Sequence, residues 1–137
     1  MKITNRRAYY DYDILDKFEA GIVLSGAEVK SVKQGKIKLE GSFVKIIDGE
    51  AFLINAHIHP YQFADNRDYI PTKSRKLLLH KDEIQSLLTK TSQGKLTLVP
   101  LSCYTIGRLV KLDVGIGKGK KKWDKREAIK KLSLIHI

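Results

Sequence analysis

The sequence contains one cysteine, Cys103, so no disulfide can form within the chain. No apolar run approaches the roughly 18 residues that a membrane-spanning helix needs. The charged N-terminus is not followed by the apolar segment of a secretory signal. We therefore expect a cytoplasmic protein in a reducing compartment, with no membrane partner. A length of 137 residues with 42% hydrophobic content fits one domain with a genuine core.

The short motifs that mark common enzyme classes are also missing. Neither a Gly-x-Ser-x-Gly elbow nor a His-Glu-x-x-His pair is present. The glycines near Gly119 do not form a P-loop, because Lys121 follows Lys120 where a Ser or Thr must bind Mg²⁺. We find no catalytic constellation, and we expect neither enzymatic activity nor a cofactor.

Two histidines are the best candidates for metal ligands in the sequence. His57 and His59 lie two apart on a predicted strand, so they share one face. No second ligand pair complements them, and Cys103 is distant in sequence, which favours a non-metal role. Cys103 itself, in a predicted strand, reads as an inert packed thiol.

Acidic residues are scarce. The chain has 26 Lys and Arg against 15 Asp and Glu, a formal net charge of +11. Between Gly115 and Lys131, eight Lys or Arg face only Asp124 and Glu127, so this stretch carries +6 of that charge. Most basic runs of this kind are solvated linkers. Trp123 argues against that interpretation here, because an indole among glycines and lysines can stack on a nucleic-acid base.

Residues 8–24 are predicted to be mostly extended, with Tyr10, Tyr12 and Ile14 on one strand face. Ser25 and Glu28 form a capping-box pattern that predicts a helix of about two turns ending near Gly35.

Asp48-Gly49 predicts a type I′ hairpin between strands 42–47 and 50–58, the second of which ends at Pro60. Residues 61–74 read as a loop, and 75–79 as a short strand or the approach to a helix. An amphipathic helix is predicted over 81–92, and two strands over 96–114. Asp124–Glu127 is a second capping box, which predicts a last helix in the basic tail.

These elements predict a mainly β fold with helices (α+β). We expect an OB-like closed antiparallel β-barrel of about six strands, with two or three helices. The barrel is assigned to residues 1–114. Residues 115–137 are expected to form a basic C-terminal tail that is flexible when free.

Glu19 stands out as a carboxylate in a basic protein. It is a surface acid, a partner for Lys30 or Arg7, or an acceptor for base amino groups or ribose hydroxyls. Basic residues cannot supply such an acceptor.

A set of short motifs, in this order along the chain, resembles the SmpB family, the SsrA-binding proteins of bacterial trans-translation. The motifs are Asn5–Ala8, Phe18–Gly21, Gly26–Ser31, Gly35–Lys36, Asp48–Glu50, Arg75–Leu79, Leu98–Leu101, Gly117–Lys121 and Asp124–Arg126. The resemblance runs from about Asn5 to Lys130.

The resemblance implies an OB-like barrel that binds the tRNA-like domain of tmRNA. It further implies delivery of that RNA to stalled ribosomes, where the nascent peptide is tagged for degradation and the ribosome is released. The partners would be tmRNA and the decoding centre and mRNA channel of the small subunit. The family is not enzymatic and needs no cofactor, and we expect a monomer.

The same resemblance assigns RNA contacts to individual residues. Glu19, Leu78 and Lys111 match the family's contacts to the tRNA-like domain, and Trp123 stands where the family carries a ring that stacks on an rRNA base. The complete expected RNA-binding set is Asn5, Arg7, Glu19, Lys30, Leu78, Lys111, Lys118, Lys120, Lys121, Lys122, Trp123, Asp124, Lys125 and Arg126. After Lys131 the sequence turns apolar, so we expect a shortened or atypical tail.

Two other functions fit parts of the sequence. A small enzyme with a barrel-mouth site at His57 and His59 would carry bound metal. A generic single-strand-binding barrel would not distinguish tRNA-like RNA from random oligonucleotides, and would display several aromatic side chains on its sheet.

Overall fold

The computed structural model describes residues 2–92, 94 and 96–120. This part of the chain holds nine strands and three helices. The helices are α1 (Arg6–Asp11), α2 (Gly26–Lys33) and α3 (Lys81–Ser92). The strands are β1 (Lys2–Thr4), β2 (Tyr12–Ile22), β3 (Ile37–Lys38), β4 (Phe43–Ile47), β5 (Glu50–Ile54), β6 (His57–Ile58), β7 (Arg75–Leu78), β8 (Leu96–Ile106) and β9 (Leu109–Gly119).

Six of the strands close into a ring. The order in the main sheet is β1-β8-β4-β5-β7-β2-β9, and a further pairing of β8 with β9 joins its two sides. All these pairings are antiparallel, and β1 adds to β8 outside the ring. Strands β3 and β6 form a separate two-stranded sheet. The expected OB-like, mainly β fold with about six strands and two or three helices is confirmed.

The core lies inside the ring. Alternate residues of each strand point inward, and Ala51, Leu53, Leu77, Leu112 and Val114 are at most 2% exposed. Because a closed ring has no free edge, the hydrogen-bonding groups of its strands are paired and the apolar faces are shielded together.

Helix α2 confirms the predicted capping pattern at both ends. The Ser25 side chain accepts a hydrogen bond from the Glu28 amide, and the Glu28 carboxylate accepts one from the Ser25 amide. At the other end Gly35 has φ +75°, and its amide and that of Lys36 donate to the carbonyls of Val32 and Ser31. This is a Schellman motif, which needs a residue in the left-handed region.

The β4–β5 hairpin turns at Asp48 and Gly49, whose φ angles of 52° and 77° are both positive, as a type I′ turn requires. The predicted second strand is too long, however. It ends at Ile54 rather than near Pro60, because Asn55 takes a left-handed φ of 66° and redirects the chain. The residues that follow pair with β3 instead, as β6.

The expected extended conformation of residues 8–24 is wrong at its start. Residues 6–11 form α1, which places Ala8 against Val99 and Leu101 in a small second core cluster. Tyr10 therefore lies on a helix and shares no strand face with Tyr12. The packing of α1 against β8 overrides the β preference of the tyrosines.

The predicted helix over 81–92 is confirmed as α3, and the short strand over 75–79 as β7. Residues 61–74 contain turns and loops, as expected. The two strands predicted over 96–114 correspond to β8 and β9, and the turn between them lies at Gly107 and Arg108.

Strand β9 continues past the expected barrel limit at residue 114. Residues Gly115 to Gly119 pair with β2 and β8, so this part of the expected tail belongs to the sheet. The predicted helix that begins near Asp124 lies outside the described residues. Within the described ranges, none of the helices has the length and apolar character required to span a bilayer.

Candidate nucleic-acid interface

Strand register brings two of the expected RNA-binding residues, Leu78 and Lys111, into one row. Gly21 of β2 pairs with Leu78 of β7 on one side and with Lys111 of β9 on the other, and Lys111 in turn pairs with Tyr104 of β8. Directly paired residues lie on the same face of a sheet. Leu78, Lys111 and Tyr104 therefore form a row across four strands on the outside of the ring.

The neighbouring row carries the acids. Glu19 of β2 pairs with Asp113 of β9, which pairs with Ser102 of β8. We call Glu19, Leu78, Tyr104, Lys111 and Asp113 the Glu19 surface. Leu78 is 57% exposed because alternation in β7 turns Leu77 inward and Leu78 outward.

Tyr104 lies between the two carboxylates. Its hydroxyl donates to Glu19 Oε2 and also lies 3.2 Å from Asp113 Oδ1. The Ser102 hydroxyl donates to the second oxygen of Asp113 at 3.2 Å. On the far side of Glu19, Lys111 Nζ lies 4.0 Å from Oε1. Glu19 is thus held by a hydroxyl at one oxygen, and a cation lies near the other.

The tyrosine is a permanent donor in this arrangement. Burial raises the pKa of Tyr104, and the hydrogen bond to Glu19 and the charge of Asp113 raise it further. The phenol consequently stays protonated at physiological pH and keeps its proton directed at the two acids.

This geometry leaves acceptor capacity free at an exposed site. An ionised carboxylate offers about four lone-pair positions, and the side chain of Glu19 is 48% exposed. Beside it lie an exposed apolar side chain, Leu78, and the ammonium group of Lys111. Glu19 can accept a hydrogen bond from a base amino group or a 2′-hydroxyl. Leu78 can contact a base ring, and Lys111 can neutralise a phosphate.

Residues of the expected N-terminal contact lie in different environments. Asn5 is 5% exposed, and its Nδ2 donates to the carbonyl of Pro100 at 2.9 Å. Its Oδ1 is buried with no partner among the described residues. Arg7 is half exposed, with Nε 3.0 Å from Asp11 Oδ2 and its guanidinium 4.7 Å from the Tyr10 ring centroid.

The basic residues at the end of β9 lie close to the same helix. Lys120 Nζ donates to the carbonyl of Tyr9 at 2.9 Å, and its amide donates to the carbonyl of Asp11. Lys118 is exposed and pairs with Asp13 of β2. The remaining expected tail contacts lie outside the described residues: Lys121, Lys122, Trp123, Asp124, Lys125 and Arg126.

Lys30 is not part of the Glu19 surface. It lies on α2, where its ammonium group is 5.5 Å from the centroid of the Tyr61 ring. The alternative that Glu19 pairs with Lys30 or Arg7 is not what the structure shows, since Lys111 is its cationic neighbour.

The histidine pair does not form the core of a metal site. The rings of His57 and His59 are 6.4 Å apart between centroids. Across residues 2–92, 94 and 96–120, His, Cys, Asp and Glu side chains nowhere gather in a group of three or more that could hold a metal ion. Cys103 is fully buried, and burial raises the pKa of its thiol to about 12, which suits an inert packed residue.

The sequence analysis did not predict a buried ion pair that links β7 to α2. Arg75 and Glu28 have side chains only 1% and 2% exposed, and Arg75 Nη2 lies 2.8 Å from Glu28 Oε2. The Tyr69 hydroxyl donates to the same oxygen at 3.1 Å. Arg75 also donates through Nε to the same Glu28 oxygen at 3.0 Å, through Nη1 to the carbonyl of Ala56 and through Nη2 to that of Pro71.

The pKa of Glu28 lies below its ordinary value. Burial alone would raise it, but hydrogen bonds from Ser25 and Arg75 and the charges of Arg75 and Lys73 outweigh that effect. One signal could have revealed the pair. Alternation in β7 puts Arg75 on the inward face with Leu77, and a buried arginine needs an acidic partner.

Comparison with known proteins agrees with this geometry. A family model described as SmpB protein matches residues 2–134. The SsrA-binding protein of Carboxydothermus hydrogenoformans is 50% identical over 127 residues, which is 93% of this chain and 85% of that protein. The SsrA-binding protein of Geotalea uraniireducens is 51% identical over 127 residues, 93% of this chain and 84% of that protein.

A solved structure described as "tmRNA-SmpB: a journey to the center of the bacterial ribosome" has the same fold. It superposes with a TM-score of 0.73 at 45% sequence identity, and the match covers 93% of this chain and 94% of that chain. From the family model and these relatives together, we conclude that the chain belongs to the SmpB family of SsrA-binding proteins.

Proposed function

We propose that this protein binds the tRNA-like domain of tmRNA and delivers it to stalled ribosomes for trans-translation. The observation that carries this proposal is the Glu19 surface, where register places Glu19, Leu78 and Lys111 on adjoining strands. The relatives named SsrA-binding protein and the solved tmRNA–SmpB neighbour support the same partner.

The chemistry of the surface suits a folded RNA. Lysines and arginines bind phosphates without reading sequence, and a surface made only of them would weaken steeply as salt rises. Glu19 adds an acceptor that discriminates, because base amino groups and ribose hydroxyls can donate to it, whereas phosphates cannot. We assign Lys111 and Arg7 to phosphates, and Leu78 to an unstacked base or a ribose.

The protein acts as an adaptor in this proposal. It binds two partners in the cytoplasm as a monomer, catalyses no reaction and uses no cofactor.

The basic residues at the end of β9 and beyond it would have a separate role. Lys118 and Lys120 lie at the end of β9 beside α1, where the chain leaves the sheet. We propose that they and residues 121–126 engage the phosphate-lined mRNA channel and decoding centre when no message fills it, with Trp123 stacking on an rRNA base. Cross-linking of the tail to ribosomes with vacant and filled channels tests this, and equal yields would contradict it.

The central experiment is a binding titration against the tRNA-like domain of tmRNA and a random RNA of equal length, at two salt concentrations. We expect the tRNA-like RNA to be preferred, and the preference to persist at near-physiological salt because it does not arise from phosphate contacts alone. Equal affinity for the two RNAs would refute the proposed function.

The variant Glu19→Gln tests whether the preference for the tRNA-like RNA depends on this carboxylate. Loss of a charge-assisted hydrogen bond costs about 1.5–3 kcal/mol, or roughly tenfold to a hundredfold in affinity. Glu50→Gln is the matched control, since Glu50 is an exposed acid on β5 that pairs with Lys76. It should leave the preference intact.

A further inference from the structure

The two-stranded sheet of β3 and β6 presents a second cationic surface. Lys38 pairs directly with His57, and Ile37 with Ile58. The amide of His59 donates to the carbonyl of Lys36 at 3.0 Å, which extends the pairing by one step. We call Lys36, Lys38, His57 and His59 the β3–β6 ribbon.

Alternation aligns the four side chains of the ribbon. Ile37 and Ile58 are 4% and 0% exposed and point into the core. The residues on either side of each isoleucine therefore point the other way. The four side chains line a surface pocket of about 300 Å³ together with Gly35 and Ile37, and no carboxylate is among its lining residues.

The backbone beneath the pocket is held in place. Gly35 and Lys36 are fixed by the Schellman motif that ends α2. The carbonyl of His59 accepts from the Ser31 hydroxyl at 2.5 Å, and the amide of Ile58 donates to the carbonyl of Pro71. A bound anion would consequently meet a surface whose backbone needs little reorganisation.

The exposed charges on the elements next to the ribbon are mostly lysines. Helix α2, which packs against β6, carries Lys30 and Lys33 in its last turn. Its one acid, Glu28, is buried and held by Arg75 and Lys73. Beyond the ribbon, Glu40 is exposed two residues after Lys38.

We propose that the β3–β6 ribbon binds a backbone phosphate of RNA at a site that shares no residue with the Glu19 surface. Lys36 and Lys38 supply fixed positive charge. His57 and His59, with centroids 6.4 Å apart, donate ring N–H groups to oxygens of the same phosphate group. The inference rests on the proposed function only in taking RNA as the partner.

Histidine gives the site a diagnostic property. The protonated ring has two donors and a positive charge, whereas the neutral ring has one donor and no charge. Phosphate binding through imidazoles should strengthen on acidification, whereas binding through lysines alone should not.

The test uses the full chain and the tRNA-like domain of tmRNA, titrated at several salt concentrations at about pH 6 and about pH 8. Lys36→Gln/Lys38→Gln should lower the slope of log affinity against log salt by about one unit per lysine. Lys45→Gln/Lys81→Gln is the control of equal charge loss, because neither lysine lines the pocket. The control variant should lower this slope less than the ribbon variant does.

The histidines are tested separately. His57→Gln/His59→Gln should remove an affinity gain of roughly twofold to fivefold between the higher and the lower pH. His80→Gln, an exposed histidine outside the pocket, should retain that gain. Thermal unfolding checks that all variants fold, which we expect because the replaced side chains face solvent.

The outcomes separate this inference from the proposed function. Ribbon variants that match their controls in slope and pH response overturn the inference, even if the tRNA-like RNA is still preferred. Loss of that preference in the unmodified chain overturns the proposed function instead. As a last arm, pyrophosphate is titrated while the imidazole NMR signals are followed. Shifts there, with RNA binding unchanged in the variants, would assign the site to a free phosphate and also overturn the inference.

Discussion

The hydroxyl of Tyr104 on β8 donates a hydrogen bond to Glu19 on β2, across the intervening strand β9. The two residues are 85 positions apart in the sequence. One carboxylate oxygen of Glu19 is therefore committed to the protein, and the other is turned toward Lys111 and solvent. Tyr104 thus fixes the orientation of the acid that the family resemblance assigns to RNA.

Tyr104→Phe should weaken binding of the tRNA-like RNA by about tenfold, because the phenyl ring keeps its packing while Glu19 loses its orienting donor. A binding titration at fixed salt measures the loss. Thermal unfolding should change little, since Tyr104 is only partly buried.

A double-mutant cycle with Glu19→Gln tests whether Tyr104 acts through the acid. If it does, the second substitution should cost much less in the variant that already carries the first. Additive losses would mean that Tyr104 contributes to binding independently of Glu19.

Arg75→Met should destabilise the fold by about 3–5 kcal/mol, because Glu28 is left charged and buried without its partner. Urea denaturation measures the change. Lys76→Met is the adjacent control, since Lys76 is exposed and its contact with Glu50 is 3.3 Å long at the surface. A surface pair of this kind contributes about 0–1 kcal/mol. Equal effects of the two substitutions would contradict a stabilising role for the buried pair.

Stability should fall as the pH drops below about 4.5, the ordinary pKa of a glutamate. The pKa of Glu28 is lower in the folded state than in the unfolded chain, so the unfolded chain binds the proton first. The contribution of Glu28 is complete above the unfolded pKa and is lost as the pH falls through the folded one. Unfolding free energies measured between about pH 6 and pH 2 give the slope.

Glu28→Gln should flatten that slope while lowering stability at neutral pH, because Arg75 is then unpaired. Glu50→Gln changes an exposed acid and should preserve the slope. A slope unaffected by Glu28→Gln would show that other carboxylates cause the acid sensitivity.

Gly117→Ala should destabilise the protein by about 1–3 kcal/mol. A Cβ atom at this position would lie 2.9 Å from Cβ of Tyr12 and 3.3 Å from Cδ1 of Ile14 on the paired strand. Gly119→Ala is the matched control, because nothing lies within 4 Å of a Cβ added there. Thermal unfolding of the two variants shows whether Gly117 is needed for close packing of the strands or only for flexibility of the chain. Similar stabilities would contradict the close packing of β9 on β2.

Several elements could be predicted because adjacent residues specify them. Asp48-Gly49 and Ser25–Glu28 form their turn and cap with their own neighbours, and helix α3 follows from spacing along one face. The family motifs led to Glu19, Leu78 and Lys111, and the strand register brings these three together.

Other features depend on contacts that no local pattern contains. Helix α1 forms where a strand was predicted, because Ala8 packs on Val99 and Leu101, more than ninety positions away. The second strand of the hairpin ends early because β6 pairs with β3 instead of continuing β5.

The sequence by itself determined the turn and cap positions, the excess of positive charge and the family, since each depends on residue types at short spacing. The tertiary structure decided the rest. Closure of the ring placed Tyr104 against Glu19, the docking of α2 placed Glu28 against Arg75, and the pairing of β3 with β6 placed two histidines beside two lysines. Such groups form only when elements distant in the chain are brought together, and the free energy that fixes their arrangement comes from burying the shared core.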